Sequence, residues 1–333
     1  MIKIEVLLDK KTKYGDIFPV ADKDNVNKLY KDYCKAFHPD ANCHVNATDA
    51  FANLQILYKE ATKALEGGMW EGTNYIYIKT NTSGLSIPYL YHCVFELGEY
   101  YVTKSYIVYI FEKSKNLYYN NYIKRVKEIK YADDKMKMFA NFVPNIYKEF
   151  DTDNKHIIVI HKPEDTYPLR CFVENYFNNE VPNKHLAWMV TRLLNLCCFL
   201  KYNNLVSNGI NIDNLFVCPE QHSICLYGGW WYTQPIGGKM NGTTGEIFNI
   251  MLPKTKADRV ADAATDVESV KLIARKLSSK TIERPLSDYF SLGSTSDAYK
   301  ELAKWDDVLK NAFGERKFIK LDNINNNTLY KKG

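Results

Sequence analysis

Residues 24–65, DNVNKLYKDYCKAFHPDANCHVNATDAFANLQILYKEATKAL, constrain the fold more than any other stretch. Val26, Leu29, Tyr30, Tyr33 and Phe37 recur at the spacing of one helix face, and after a polar break Ala47, Ala50, Phe51, Leu54, Tyr58, Ala61 and Leu65 repeat it. Helices of this length are marginal alone, so the pattern predicts an antiparallel hairpin zipped along its apolar stripes. His38-Pro39-Asp40 falls at the tip. Pro39 fixes its own φ and drives His38 out of the helical region, which ends the first helix there. Asp40 is thereby offered as an exposed carboxylate, suited to a bidentate contact with an arginine. Lys28, Lys31 and Lys35, at i, i+3 and i+7, line one face of the same helix and suit an acidic surface, the plain alternative being a solvated lysine face.

A chain of 333 residues fits two domains with a sizeable apolar core. The formal charge of +5 is modest and Lys is interspersed with Asp and Glu, which does not point to nucleic acid. The opening MIKIEVLLDKKTKYGD lacks the sustained apolar run of a signal peptide, and no segment has the length of a membrane span, so a cytoplasmic protein is expected. The eight cysteines are scattered, which fits reduced thiols, and Cys218, His222 and Cys225 fall short of a four-ligand metal set. Abundant Asn, Lys, Tyr and Ile fit a phage or a low-GC bacterium.

In chain order, Met1–Leu8 reads as a short strand or lead-in, and Glu66-Gly67-Gly68 as a helix stop followed by a linker over 67–74. YIYIKT, YHCVFELGEYYVTK and SYIVYIFEK read as strands, residues 115–143 as helical, and Asn145–Phe150 and His156–His161 as two more strands. Asn183–Tyr202 is a long apolar helix starting after Pro182. Asp297–Phe313 is an amphipathic helix with Tyr299, Leu302, Trp305 and Leu309 inward, capped at Gly314, and the Asn-rich tail is expected to fray.

The HPD tripeptide between two phased helices, with Phe51, Leu54 and Tyr58 on the second, resembles the J-domain of DnaJ-like co-chaperones. Asp16-Ile17-Phe18-Pro19-Val20 takes the place of the family's short first helix and turn, with Pro19 where glycine is usual. The resemblance implies that His38, Pro39, Asp40, Lys28, Lys31 and Lys35 contact the ATPase domain of a DnaK-type chaperone and stimulate its hydrolysis. Asp32 and Ala36 stand where the family usually has Arg or Lys, which weakens the basic face and admits a module that binds without stimulating.

Leu205–Val217, LVSNGINIDNLFV, resembles the catalytic loop of protein kinases, Ser223–Trp230 the approach to their metal-binding DFG motif, and Thr265–Val270 the start of their F-helix. The resemblance spans about 75–320 and implies that Asp266 braces the loop backbone. Phosphoryl transfer needs an aspartate at the attacking hydroxyl, another on magnesium, and a lysine held by a helix glutamate. On this alignment the catalytic-loop histidine and aspartate are Ser207 and Gly209 and the magnesium-binding aspartate is Gly228, leaving Asn214 alone of the metal-binding residues, while Phe111 occupies the lysine position. An alignment slip would restore Asp213 and sacrifice Asn214. No clear glutamate stands in the C-helix expected around Lys135–Phe142.

The expected fold is α+β: a J-domain at 1–66, a linker at 67–74, a kinase-like β-rich lobe at 75–162, a larger helical lobe at 163–320, and a polar tail at 321–333. The expected function is that of a co-chaperone whose catalytically dead kinase-like domain binds a client or directs targeting. No catalytic residue, metal or cofactor is assigned. ATP with magnesium, held by Lys104 or Lys113 with Asn214, belongs to the alternative of a nucleotide-binding or active kinase localised by its J-domain. The bland alternative is that Asn214 and Asp266 only hydrogen-bond the loop. Trp230-Trp231-Tyr232 reads either as a binding patch or as core.

Overall fold

The computed structural model describes residues 2–67, 69–73, 75–79, 84–315 and 319–330. It divides into two compact units, Met1–Ser114 with Lys148–Val159, and Lys115–Tyr147 with Ile160–Gly333.

The first unit opens with α1 (Ile4–Leu8), α2 (Tyr14–Ile17), α3 (Lys23–Phe37) and α4 (Ala47–Gly67). Asp22 caps α3 by accepting the Asn25 N–H at 2.9 Å. The predicted hairpin forms: Val26, Tyr33 and Phe37 of α3 and Ala50, Leu54, Leu57 and Ala61 of α4 bury together, and Tyr30 stacks on Tyr58 at 3.8 Å. The lead-in is helical rather than extended, because Leu7 is buried in this same core.

Where a linker was expected, Met69–Gly72 forms strand β1, paired antiparallel with β2 (Tyr75–Lys79), which pairs in turn with β3 (Gly84–Pro88). Residues 68 and 74 of that stretch lie outside the described residues. α4 ends at Gly67, but Trp70 supplies a large apolar surface that must be covered. It is 1% exposed, packs edge-on against Tyr14 at 4.9 Å, and donates its indole N–H to Phe18 O at 2.9 Å. Asp16 accepts the Thr73 N–H at 2.9 Å, Tyr14 Oη accepts the Glu71 N–H at 3.0 Å, and Tyr75 donates to Gly15 O. A Cβ on Gly15 would lie 2.4 Å from Glu71 O, so the approach of α2 to β1 needs glycine there.

Strands β4 (Tyr91–Phe95), β5 (Gly98–Val102), β6 (Tyr106–Glu112), β7 (Asn145–Asp151) and β8 (Lys155–His161) form a five-stranded sheet of order β4-β5-β6-β8-β7. Ile76 and Ile78 of β2 bury against Tyr101, Val108, Ile110, Ile157 and Val159 of this sheet. The helical module and the sheet thus belong to one unit.

The second unit begins at α5 (Asn116–Lys127), the only α-helix within the span read as helical from 115 to 143; Met136–Asn141 is a 3-10 turn. After β9 (Tyr167–Pro168) and α6 (Leu169–Tyr176) comes the buried helix α7 (Asn183–Tyr202). The short strands β10 (Leu205–Val206), β11 (Leu215–Cys218), β12 (Ser223–Leu226) and β13 (Gln234–Pro235) follow, β10 pairing with β13 and β11 with both β12 and β9. Helices α8 (Gly245–Ile250), α9 (Pro253–Asp258), α10 (Ala263–Leu277), α11 (Arg284–Ser291) and α12 (Ala298–Phe313) complete the helical body.

Two expectations change here. On α12, Trp305 is buried but Tyr299 is half exposed beneath Lys201, because Glu301 turns inward instead. Glu301 pairs with Lys271 at 3.2 Å, both wholly buried, and accepts from Tyr289 and Thr295, so the charges are compensated. The tail is ordered through Tyr330. Asn325 caps the short helix α13 (Asn326–Leu329), Leu329 is buried, and Asn175 donates to Leu329 O at 2.9 Å. The asparagines read as disorder-forming act as caps and backbone donors. Residues 331–333 lie outside the described residues.

Truncating Trp70→Ala is expected to cost about 3–5 kcal/mol in denaturant unfolding of the full chain. Amide exchange should show α3, α4 and β2 losing protection together. Loss confined to β1 would mean that the helices do not depend on it.

Candidate functional site

The tip of the α3–α4 hairpin is built from backbone terms set by Pro39. His38 ends α3 at φ −60°, ψ 131°, the extended conformation required of a residue before proline. Its carbonyl accepts the N–H groups of Ala41 and Asn42, both at 2.9 Å, and Asn42 Nδ2 turns back to Ala36 O, an otherwise open carbonyl of the last helical turn. The His38 ring packs edge-on to Phe51 of α4 at 5.3 Å. Asp40 is left with its side chain 91% exposed, 3.7 Å from His38 Nδ1. Lys28, Lys31 and Lys35 are exposed on α3, and none meets a carboxylate within the described residues. Proline turn and exposed carboxylate share the tip of the hairpin, and the lysine row runs along α3 toward it, Lys35 standing in the last turn.

A second constellation lies at 205–214 in the other unit. Asp266, in the first turn of α10, accepts the N–H groups of Ser207 at 2.7 Å and Asn208 at 3.0 Å. Asn208 is in the left-handed region at φ 52°, and Thr243 donates to its carbonyl at 2.7 Å. Burial pushes the Asp266 carboxyl up to about 7, against the pull of the two backbone N–H groups. Asn214 Nδ2 donates to Gly209 O at 2.8 Å, and Asn214 O accepts the Gly228 N–H at 3.0 Å.

The glycines close this site. A Cβ on Gly228 would lie 2.6 Å from Asn214 Oδ1, and one on Gly209 would lie 2.8 Å from Gly229 O. Gly229 itself sits at φ 79°. The Gly229 backbone thus occupies the volume in which a side chain at 209 would have to stand, and Asn214, chiefly its side chain, occupies that at 228. Asp213 is engaged by the guanidinium of Arg170, at 2.8 Å through one of two contacts, and the shorter contact runs from Nε.

The remaining positions behave as packing. Phe111 is fully buried, Lys113 lies beyond the end of β6 and pairs with Asp151 at 2.8 Å, and Lys104 is exposed. Trp230, Trp231 and Tyr232 are buried, which makes them core and not a surface patch. Among the described residues no three His, Cys, Asp or Glu side chains are placed to share a metal ion.

Sequence reasoning missed α5 as the partner of this segment. Asn121 Nδ2 donates to the carbonyls of Trp231 at 3.1 Å and Thr233 at 2.9 Å, Tyr122 donates to Tyr227 O at 2.8 Å, and Arg125 reaches Thr233 O and Gln234 Oε1. Tyr118, Tyr122 and Arg125 recur at helical spacing, which was the available signal. The expected C-helix at Lys135–Phe142 is instead a turn whose Asn141 O accepts from Tyr227.

No family model matches this chain, and no curated protein matches it. Among solved structures, that of vaccinia related kinase 3 is similar at TM-score 0.47 and 12% identity, covering 69% of this chain and 94% of that chain.

Installing aspartate at Gly228 or Gly209 is expected to destabilise the fold rather than create a metal site, since a side chain at 209 must displace the Gly229 backbone and one at 228 must displace Asn214; a loss of about 2 kcal/mol or more in urea unfolding checks this. Asp266 carries a pH signature. Its folded pKa lies above the unfolded one, so its contribution is complete below pH 4 and is lost as pH rises through about 7. Stability should fall by up to about 1.4 kcal/mol per pH unit within that window, and Asp266→Asn should flatten the slope in a pH series of denaturation midpoints.

Proposed function

We propose that the chain is a co-chaperone of the J-domain class, which docks the ATPase domain of a DnaK-type chaperone through His38, Pro39 and Asp40 and stimulates its hydrolysis. The observation that carries the reading is the tip of the α3–α4 hairpin, where Pro39 follows the end of α3 and leaves an exposed Asp40 carboxylate, while the helix that leads to it carries Lys28, Lys31 and Lys35, exposed and without acidic partners among the described residues. A carboxylate in that state offers an arginine a bidentate, charge-assisted contact, and the lysine row complements an acidic surface. His38 and Pro39 set the turn that presents it.

The remainder of the chain, on this reading, is kinase-like in fold and works without phosphoryl transfer, as a client-binding or targeting module in the cytoplasm. The Asp266 brace on Ser207 and Asn208 and the Asn214 contacts support the kinase-like assignment. The loss of phosphoryl transfer rests on Gly209 and Gly228, where the chemistry needs carboxylates and where the Gly229 backbone and the Asn214 side chain take up the space. A client is recognised by this part, and its identity is a matter for capture experiments with the HPD loop intact.

Single-turnover ATP hydrolysis by a DnaK-type chaperone is the test. The native protein should accelerate it, and His38→Gln and Asp40→Asn should each reduce the acceleration by about tenfold or more, as expected for loss of one contact to a charged group. Equal acceleration by native protein and both variants, or none by the native protein, would sink the reading.

A further inference from the structure

Helix α7 is buried round most of its circumference, yet one stripe of it faces a cleft. Lys184, Ala187, Trp188, Thr191 and Arg192 stand at i, i+3, i+4, i+7 and i+8, a single helix face, and all five line a cavity of about 440 Å³. Leu309 and Phe313 of α12, Ile319, and His222 in the turn between β11 and β12 supply further walls, so the cleft lies within the second unit. Its origin is a mismatch in packing. Lys201 pairs with Asp297 at 3.0 Å and Trp305 Nε1 donates to Thr191 Oγ1 at 2.9 Å, so α7 and α12 run antiparallel and the last turns of α12 come over the start of α7. There α7 offers Ala187 and Thr191, whose short side chains leave the space between the helices unfilled.

The walls have spent their neutral polar groups internally. Thr191 Oγ1 donates to Ala187 O at 2.9 Å and accepts from Trp305, and the Trp188 indole N–H goes to His185 Nδ1 at 3.2 Å. No hydroxyl or indole N–H is left for a sugar or another polyhydroxylated body, so the body that fits is apolar. Trp188 stacks on the His222 ring at 4.8 Å, and with Phe313 it gives the cleft aromatic walls, which favour offset or edge-on contact with a further ring. The cations, by contrast, are unspent. Lys184 is exposed and meets no carboxylate among the described residues. Arg192 Nε donates to His222 O at 2.7 Å, which fixes the guanidinium and leaves its two Nη groups for an acid. Burial, and then the Arg192 charge, push the His222 imidazole below its ordinary value, so that ring is mostly neutral at pH 7. Glu315 is the one carboxylate among the lining residues, and two cations outweigh it. We propose that this cleft binds a small aromatic carboxylate, its ring against Trp188 and Phe313 and its carboxylate on Arg192, with Lys184 adding to the positive field. The cavity has the size of an ordinary small-molecule site. This inference stands apart from the co-chaperone reading and does not depend on it.

The experiment titrates the full chain with 2-naphthoate by calorimetry and places the ligand by NMR shifts of backbone amides and indole N–H groups. The native protein should bind with a Kd of about 1 mM or tighter, the level expected of a ligand of this size. Shifts should concentrate on residues 184–192 and 309–315 and on the Trp188 indole. The uncharged 2-naphthamide should bind about tenfold more weakly, and octanoate, which keeps the head and lacks the ring, about threefold more weakly. Lys184→Gln alters an exposed side chain with no bond to lose and should weaken naphthoate about twofold to threefold, whereas Glu315→Gln, which removes the opposing charge, should tighten it about twofold. These opposite signs are not what a general loss of packing produces, so the pair of variants keeps the test decisive. Arg192→Gln should weaken binding about tenfold. Absence of saturation at about 5 mM naphthoate, equal binding of the amide or of octanoate, weaker binding by the Glu315→Gln variant, or shifts confined to other parts of the chain would each overturn the proposal.

Discussion

Strand β2 is the constraint on which the first unit depends. Its side chains alternate, as those of any strand must, and here both faces are claimed. Tyr75 and Tyr77 point to the helical core, where Tyr75 bonds Gly15 O and Tyr77 packs with the cluster around Trp70. Ile76 and Ile78 point the other way, into the core of the five-stranded sheet, and neither is exposed. A strand buried on both faces cannot shift register by one residue without exchanging isoleucines for tyrosines in both cores. Through β1 that register also fixes Trp70, and through Trp70 the turn at Phe18 that starts the hairpin. The orientation of the HPD-bearing tip within this unit is thus set by hydrophobic burial in a strand some forty residues away in sequence.

The second unit solves a different problem, that of holding irregular backbone in a dry interior. Segments 205–214 and 227–234 contain little regular structure, and buried peptide groups without partners are costly. The partners are buried polar side chains: Asp266 for two N–H groups, Asn214 for a carbonyl, and Asn121, Tyr122 and Arg125 of α5 for the carbonyls of Tyr227, Trp231 and Thr233. Glycine at 209, 228 and 229 lets the two segments approach closely. Side chains that could serve chemistry in a more open loop serve closure here. The same residues cannot do both, because a carboxylate at 228 and the Asn214 side chain would compete for one volume.

Much of this was legible in the sequence, and the exceptions share a cause. The α3–α4 hairpin, the stop at His38, the β4–β5 and β6 strands and the long helix α7 follow from periodicity and proline chemistry that act locally. The misread segments are those whose state is decided by distant partners. Residues 69–72 read as linker because two glycines precede them, yet Trp70 finds a pocket formed by Tyr14 and Phe18 more than fifty positions earlier. The asparagine-rich tail read as frayed because composition ignores capping, and Asn325 caps a helix that docks on α6. On α12 the periodicity placed Tyr299 inward and missed Glu301, since a pattern search scores a buried carboxylate as an error unless it knows of Lys271. At the sites, the HPD tip was readable because its geometry is local, whereas the α5 contacts to 227–234 span more than one hundred residues of sequence.

The balance of forces at the tip limits what the lysine row can contribute. Lys28, Lys31 and Lys35 are exposed, and exposed charges are screened over about 8–10 Å at physiological salt, so their effect on a partner is chiefly to speed encounter. Asp32, on the same helix, reduces it further by mixing the sign of the face. Asp40 differs in kind, because a bidentate arginine contact excludes water from both oxygens and is directional. On the proposed reading, affinity would reside in one carboxylate whose position is set by Pro39, and the summed charge of the helix would act mainly on the rate of encounter.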